Sequence, residues 1–218
     1  MKIINACYRI ETPIDGAEIL KRIEKAGRTC YKSEDRITEE SAENFVRMLI
    51  ERGHESVLEH ESITVRFVCD RGISHEIVRH RIASFSQEST RYCNYSNDRF
   101  GSGLTFIKPC FFKEKKGAYC SWYNSMDFAE CAYFDMLDDG CTPQEARSVL
   151  PNSVKTEVVM TANLREWRHF LKLRTAKAAH PQMRELTVPL LHELQERIPV
   201  VFDDIKEATY ETRHTEND

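Results

Sequence analysis

The sequence predicts an α+β fold in which a central, mainly antiparallel sheet is flanked by helices. Over Ser62–Cys69, the apolar residues Ile63, Val65, Phe67 and Cys69 alternate with polar Thr64 and Arg66, which is typical of a half-buried strand. Apolar residues after Asp15 instead recur at helical spacing. Strand and helix patterns follow one another irregularly along the chain, which favours the α+β class.

The bulk composition is that of a globular protein with its own core. The chain has 218 residues, of which 41% are hydrophobic and 30% charged, and this length favours one domain, residues 1–218. No apolar run approaches the roughly 18 residues of a membrane helix, and the amino terminus lacks the apolar stretch of a signal peptide. We therefore expect a cytoplasmic protein with no membrane partner. The eight cysteines are widely spread without a Cys-x-x-Cys, so we expect free thiols and no metal.

Elements of both types are expected in the first part of the chain. In order, they are a strand over Lys2–Ile10, a helix from Asp15 to about Cys30, a helix from Thr38 to Gly53, the strand Ser62–Cys69 and a short helix containing Ile73, Ile77 and Val78. Asp15 can accept the free N–H groups of the first helix, and Gly53 can end the second.

Helices dominate the second part of the chain. We expect a strand over Leu104–Ile107, a long helix over Ala118–Asp139 and a helix from Thr142 to Leu150. A strand over Lys155–Thr161, a helix containing Trp167 and Phe170, and a helix from Pro181 should follow. Aromatic residues of the long helix, including Phe128 and Tyr133, predict a core or a subunit contact. Pro189 should kink or divide the last helix, and the tail after about Glu211 should fray.

The segment Arg79–Tyr92 has a composition that stability alone does not explain. Arg79, His80 and Arg81 are consecutive, so on a helix they would point in different directions and need different partners, or lie at a helix end. Four hydroxyl side chains then precede Arg91. Hydroxyls, backbone N–H groups and a guanidinium suit phosphate binding, whereas the alternative is a solvated basic helix followed by a polar loop.

This segment resembles the signature of a known family. The order Arg79-His80-Arg81, seven residues, Ser89 and then Arg91 is similar to the motif of the flavin-dependent thymidylate synthases. The resemblance continues over the stretches His54–His60, Arg147–Pro151 and Asn163–Arg174. It implies that the enzyme methylates deoxyuridine monophosphate (dUMP), with methylenetetrahydrofolate as carbon donor and NADPH-reduced FAD as hydride donor. It also implies a homotetramer with active sites shared between subunits.

The same resemblance implies two sets of site residues. Those at FAD are His54, Ser56, Arg79, His80, Arg81, Gln87, Asn163, Arg165 and His169. Those at dUMP are Glu76, Arg79, Gln87, Glu88, Ser89, Thr90, Arg91, Arg147 and Arg174. Ser89, Arg91 and Arg147 would hold the phosphate. Arg174 is the implied catalytic residue, because an arginine stabilises the negative charge that builds on the uracil ring without losing its own proton.

Other interpretations of these residues remain open. Arg79–Arg91 could belong to a non-enzymatic nucleotide or nucleic-acid phosphate-binding module, although a net charge of −4 disfavours a nucleic-acid partner. His54, Glu59 and His60 could begin a metal hydrolase site, but the two histidines are six residues apart and no third ligand suggests itself. No triad pattern surrounds Ser89, so we expect it to bind the nucleotide and not to act as a nucleophile.

Overall fold

A computed structural model describes residues 1–92, 95, 103–112 and 114–207 of the chain. Two compact units are present: unit 1 comprises Met1–Pro13 and Ile63–Ala162, and unit 2 comprises Ile14–Ser62 and Asn163–Asp218. The predicted fraying tail after Glu211 and most of the aperiodic stretch before Leu104 lie outside the described residues. None of the described helices is both long enough and apolar enough to cross a membrane.

Helices and strands are numbered in chain order. The strands are β1 (Lys2–Ile4), β2 (Cys7–Ile10), β3 (Ser62–Asp70), β4 (Ala83–Gln87), β5 (Thr105–Ile107) and β6 (Lys155–Asn163). The helices are α1 (Gly16–Thr29), α2 (Ser41–Glu51), α3 (Arg71–Ile77), α4 (Lys116–Asp138), α5 (Pro143–Ala146), α6 (Leu164–Arg174) and α7 (Pro181–Arg197). Short 3₁₀ helices cover Glu34–Arg36, Glu55–His60, Cys110–Phe112 and Arg147–Val149.

Unit 1 is built on two sheets. The larger sheet has the strand order β2-β3-β6-β4, and its pairs β2/β3 and β4/β6 are antiparallel. The smaller sheet pairs β1 with β5 in parallel. The predicted α+β class and the antiparallel character of the main sheet are therefore confirmed.

Two predictions about strands are corrected by the pairing. The strand predicted over Lys2–Ile10 is two strands, because β1 pairs with β5 whereas β2 pairs with β3. The segment Ala83–Gln87, predicted as part of a polar loop, is the edge strand β4. Ser84 and Ser86 lie on its exposed side, where hydroxyl side chains stay hydrated and do not disturb the pairing with β6.

The helices of unit 1 pack around an aromatic core. Tyr133 of α4 is buried with Leu104, Phe106 and Val154, which confirms its predicted core position. Glu130, also on α4, binds the amino-terminal ammonium at 2.6 Å and accepts a hydrogen bond from the backbone N–H of Leu104 at 2.8 Å. One carboxylate therefore ties the long helix to the amino terminus.

Phe128 differs from the other aromatic residues of α4. Its side chain is 77% exposed, so it belongs to no core within the described residues of the chain. The prediction for the aromatic stripe thus divides, with Tyr133 in the core and Phe128 on the surface. A subunit contact therefore remains a prediction for Phe128.

Unit 2 is helical. Asp15 caps α1 by accepting from the N–H of Glu18 at 3.1 Å, and Gly53 follows α2 with φ = +71°, as predicted for both. Gly27 of α1 lies so close to Phe45 of α2 that an added Cβ would meet the ring at 2.7 Å. Helix α7 runs without interruption through Pro189, so the predicted division is wrong; this residue is exposed, and water can satisfy the carbonyl that the proline leaves unpaired.

Candidate functional site

The Arg-His-Arg segment lies directly after α3. Asp70 caps this helix by accepting from the N–H of Ile73 at 2.7 Å, and the helix ends at Ile77. Arg79 and Arg81 are exposed, whereas His80 is only 6% exposed. The three side chains therefore point in different directions at a helix end, as predicted. Glu76, on the last turn of α3, is half-buried.

A cavity of about 470 Å³ opens in unit 1 beside this helix. Its described lining residues are Arg71, His75, Thr90, Gln144, Arg147, Ser148, Leu150, Pro151 and Asn152. Three of these side chains are basic, four carry a hydroxyl or an amide, and none of the lining residues just named is acidic. A cavity with this set of donors suits an anion.

Backbone hydrogen bonds and a helix cap fix the segments that form this cavity. The backbone N–H of Arg71, the first residue of α3, donates to the carbonyls of Asn152 at 2.9 Å and Val154 at 3.2 Å. On the other wall, Thr142 and Glu145 form a capping box at the start of α5, with the Thr142 N–H donating to the Glu145 carboxylate at 2.8 Å. These hydrogen bonds from Thr142 lower the pKa of Glu145. The capped helix carries the chain into Arg147.

Two residues predicted for the dUMP site line this cavity, and two more are connected to its wall by hydrogen bonds. Thr90, which is 5% exposed, and Arg147 both line it. Arg91 donates from Nε to Oε1 of Gln144, a third lining residue, at 3.0 Å. The backbone N–H of Arg91 also donates to the Ser89 hydroxyl at 3.3 Å. Thr90 and Arg147 therefore line the cavity, whereas Arg91 and Ser89 are joined to it through Gln144.

Gln87 and Glu88 make contacts inside unit 1. The Gln87 amide donates to the Ser74 hydroxyl at 2.9 Å and to the Thr156 hydroxyl at 3.3 Å. Glu88 accepts from Lys155 at 2.9 Å and from the Tyr95 hydroxyl at 3.1 Å. These contacts fix the end of β4 next to the cavity. The predicted contacts of both residues with ligands stay predictions.

Lys155 joins Glu88 to a second carboxylate, Glu157, at 2.6 Å. Burial opposes the charge on Lys155, but the hydrogen bonds to Glu157 and Glu88 outweigh it and raise the pKa of the ammonium. The hydrogen bond from Lys155 is also the main cause of the lowered pKa of Glu157. Lys155 and Glu157 are therefore both charged at neutral pH.

The remaining predicted residues lie in unit 2, on α6 and on the 3₁₀ helix Glu55–His60. Arg165 and His169 are exposed and share one face of α6, since they are four residues apart. Arg165 binds Glu59 of the 3₁₀ helix at 2.6 Å. His54 and Ser56 are exposed at the start of that 3₁₀ helix.

The two ends of α6 carry the other predicted residues of unit 2. Asn163 caps the helix by accepting from the N–H of Glu166 at 2.9 Å. Arg174 is half-buried at its carboxyl end.

Arg168 connects α6 to the 3₁₀ helix Glu55–His60, and the sequence analysis did not identify it as a site residue. Its side chain is 1% exposed and donates to Glu55 at 2.9 Å, to Asp204 at 2.6 Å and to the carbonyl of Val201. Burial opposes charge on both members of the Arg168–Asp204 pair, but their hydrogen bond outweighs it, raising the pKa of Arg168 and lowering that of Asp204. Because Glu55 stands between His54 and Ser56, this ion pair fixes the segment that carries both.

Sequence reasoning also missed several residues of the cavity. They are Arg71, His75, Gln144, Ser148 and Asn152. Arg71 and His75 stand four residues apart on α3, a spacing that places two basic side chains on one helix face beside the Arg79–Arg91 motif. That spacing could have identified Arg71 and His75 as candidate site residues from the sequence. Arg168, in contrast, reads in the sequence as one more basic residue of a surface helix.

Comparisons with known proteins agree on one family. A family model described as "Thymidylate synthase complementing protein" matches residues 14–200. The flavin-dependent thymidylate synthase of Pyrococcus furiosus is 34% identical over 181 residues, which cover 83% of this chain and 71% of that protein. Those of Corynebacterium glutamicum and Geobacter sulfurreducens are each 33% identical, over 91% and 82% of this chain and 83% and 78% of their own lengths.

A solved structure has the same fold. The UMP/dUMP methylase PolB from Streptomyces cacaoi, bound with 5-Br dUMP, superimposes with a TM-score of 0.76. The match covers 93% of this chain and 95% of that one, at 23% sequence identity.

Proposed function

The chain belongs to the flavin-dependent thymidylate synthase family, and from this premise we propose that it is the enzyme that reductively methylates dUMP to dTMP. Methylenetetrahydrofolate is the proposed carbon donor, and FAD reduced by NADPH is the proposed hydride donor. A merely phosphate-binding module is the weaker interpretation, because the curated relatives that match over most of the chain are named as synthases.

One observation from the structure supports the nucleotide site most directly. Thr90 and Arg147 were predicted from separate stretches of sequence, and both line the cavity of unit 1. Its volume of about 470 Å³ lies within the range of small-molecule sites, roughly 300–1,000 Å³. A nucleotide phosphate matches the hydroxyl, amide and guanidinium donors of this cavity.

The residues available for FAD fit a flavin cofactor in their chemistry. Arg79 and Arg81 of unit 1 are exposed cations, and positive charge beside the isoalloxazine favours its reduced, anionic form. In unit 2, Arg165 and His169 present donors on one face of α6. When bound, FAD supplies the hydride that converts the transferred one-carbon group to a methyl group. The protein residues hold and orient the cofactor and the nucleotide.

Arg174 is proposed to act on the uracil ring. Carbon 5 of the ring is a poor nucleophile, and its attack on the carbon donor requires negative charge on the oxygen and nitrogen edge of the ring. A guanidinium at that edge stabilises the charge and stays protonated throughout. Arg174 is half-buried, which limits the screening of its charge by water.

The oligomeric state and location follow from the family premise. We propose a homotetramer with active sites shared between subunits, acting in the cytoplasm without a nucleic-acid or membrane partner. Proposed flavin-contacting residues that are far apart in the sequence are compatible with a shared site. The exposed Phe128 provides apolar surface for a contact with a second copy of the chain.

The test is the reaction itself, measured with the purified protein. We expect a yellow protein whose flavin absorbance bleaches with NADPH, and which forms dTMP from dUMP only when methylenetetrahydrofolate is present. Arg174→Ala should retain the flavin and the fold but lose about 10²–10³-fold in kcat, as for the loss of one residue that stabilises transition-state charge. Lys177→Ala, an exposed basic residue three positions later, is the matched control.

Two results would refute the proposal. One is a wild-type protein that binds no flavin under native conditions. The other is a flavoprotein that oxidises NADPH without forming dTMP from dUMP and the folate.

A further inference from the structure

The cavity of unit 1 contains more basic side chains than the predicted phosphate residues account for. Arg71 and His75 line it together with Arg147. Among the residues that the structure describes, none forms a hydrogen bond or an ion pair with any of these three side chains. Nη1 of Arg71 is buried and without an acceptor from the described part of the chain. A buried donor left without an acceptor costs about 1–3 kcal/mol, so Arg71 is unfavourably placed unless an anion joins it.

Another arginine of the same unit shows the contrast. Arg66 donates to Glu11 at 2.6 Å and to Glu157 at 3.0 Å, so its charge is balanced within the protein. These carboxylates are the main cause of the raised pKa of Arg66. No such carboxylate is found among the described residues that line the cavity. The protein therefore neutralises Arg66 internally and leaves Arg71 to be neutralised by a ligand.

The position of Arg71 is fixed by its backbone. It is the first residue of α3, its N–H donates to the carbonyls of Asn152 and Val154, and its carbonyl accepts from the Ser74 hydroxyl at 2.9 Å. Asn152 belongs to the wall that also carries Arg147. Since the backbone is held on both sides, the guanidinium is presented to the cavity at a low entropic cost.

We propose that Arg71 is a further residue that binds the substrate phosphate, acting with His75 and Arg147. A phosphate monoester carries between −1.5 and −2 charges at pH 7, which two guanidinium groups and an imidazole donor can balance. The inference rests on the proposed function, because it takes the monophosphate of dUMP as the anion. It adds a residue outside the signature motif, in the helix that precedes Arg79.

The test compares two ligands that differ only in the phosphate. Equilibrium dialysis with labelled dUMP and labelled deoxyuridine measures the dissociation constants for the wild type, Arg71→Gln and Arg71→Lys. We expect Arg71→Gln to weaken dUMP binding by about 10–100-fold, as for the loss of a hydrogen bond to a charged group, and to leave deoxyuridine binding unchanged. Arg71→Lys should be intermediate, because it keeps the charge and loses the fork.

Arg9→Gln is the matched control, since Arg9 is an exposed arginine of unit 1 that binds Glu11 away from the cavity. Equal losses for dUMP and deoxyuridine, or unchanged dUMP binding in Arg71→Gln, would overturn the inference. If Arg71→Gln does not fold, His75→Gln, an exposed substitution, is judged by the same two outcomes.

The dialysis experiment, combined with the assay of dTMP formation, separates this inference from the proposed function. A wild type that methylates dUMP, with Arg71→Gln binding dUMP as tightly, would refute the role of Arg71 alone. A wild type that binds dUMP through Arg71 but does not methylate it would refute the proposed reaction and support the phosphate site.

Discussion

Arg91 and Gln144 are 53 residues apart in the chain, and Nε of the arginine donates to the amide oxygen of the glutamine at 3.0 Å. Gln144 is a neutral acceptor, so it orients the guanidinium without cancelling its charge. The ring of Tyr92, 5.3 Å from the guanidinium carbon, supports the side chain from a second direction. Arg91 is thus held beside the cavity that Gln144 lines and keeps a full positive charge for an anion.

Arg147→Gln should weaken dUMP binding and spare stability. Arg147 is exposed and lines the cavity without an ion pair among the described residues, so the fold loses little when its charge is removed. We expect the dissociation constant of dUMP to rise by about 10–100-fold, with the thermal unfolding midpoint nearly unchanged. Calorimetric titration and thermal unfolding measure the two quantities. Arg52→Gln, an exposed arginine of unit 2, should change neither; unaltered dUMP binding in Arg147→Gln would contradict the assignment.

Ser89→Ala should raise KM for dUMP and preserve kcat. The Ser89 hydroxyl accepts from the backbone N–H of Arg91, an arrangement that suits binding and provides no base to activate a nucleophile. Loss of one hydrogen bond to the charged phosphate, about 1.5–3 kcal/mol, corresponds to a roughly 10–100-fold effect on affinity. Steady-state kinetics over a range of dUMP concentrations, up to saturation, measure KM and kcat separately. Abolished turnover with unchanged dUMP affinity would show that Ser89 takes part in the chemistry.

Arg168→Met should destabilise unit 2. The substitution removes the buried arginine and leaves Glu55 and Asp204 with the exposed Lys172, at 4.0 and 3.4 Å, as their shared partner. Because both carboxylates stay partly exposed, we expect a cost of about 1.5–3 kcal/mol, as for the loss of hydrogen bonds to charged groups. Urea unfolding measures the loss. Arg197→Met, which removes an exposed pair with Glu193, should cost only about 0.5 kcal/mol or less. A similar small cost for both variants would mean that the Arg168 network contributes little to stability.

Stability should fall in acid partly through Glu157. Its pKa in the folded protein is lowered, chiefly by the hydrogen bond from Lys155, so the folded state binds a proton less readily than the unfolded chain. The contribution is therefore fully present above the unfolded pKa of about 4.3 and is lost as pH falls through the lowered value. Thermal midpoints between pH 7 and pH 3 should decline less steeply for Glu157→Gln than for the wild type. Parallel declines would exclude Glu157 as a source of the acid sensitivity.

Phe128→Ser should weaken self-association. Phe128 is 77% exposed on α4, and covering such a ring in a subunit contact removes apolar surface from water. Light scattering after size exclusion should report a tetramer for the wild type and smaller species for the variant at low concentration. Asp127→Ser, the exposed neighbouring position, should leave the mass unchanged. A tetramer in Phe128→Ser at every concentration would place the contact elsewhere.

Local signals in the sequence were sufficient to predict most of the helices and to identify the Arg79–Arg91 motif. Asp15 caps α1 and Gly53 follows α2 as predicted, because a cap depends on side chains within a few residues of the helix end. The α+β class followed from periodicity in the same way. Thr90 was predicted among the dUMP contacts and Arg147 at the phosphate, from two stretches that resemble the family, and each stretch is a run of contiguous residues.

Long-range contacts decided the rest. Whether Lys2–Ile10 is one strand or two depends on the distant strands with which it pairs, and Ala83–Gln87 is a strand only because β6 lies beside it. Arg168 and Arg71 look alike in the sequence. The tertiary structure gives the first its carboxylates and brings none to the second from the described part of the chain, since the balance of a charge depends on which groups the fold brings within a few ångströms.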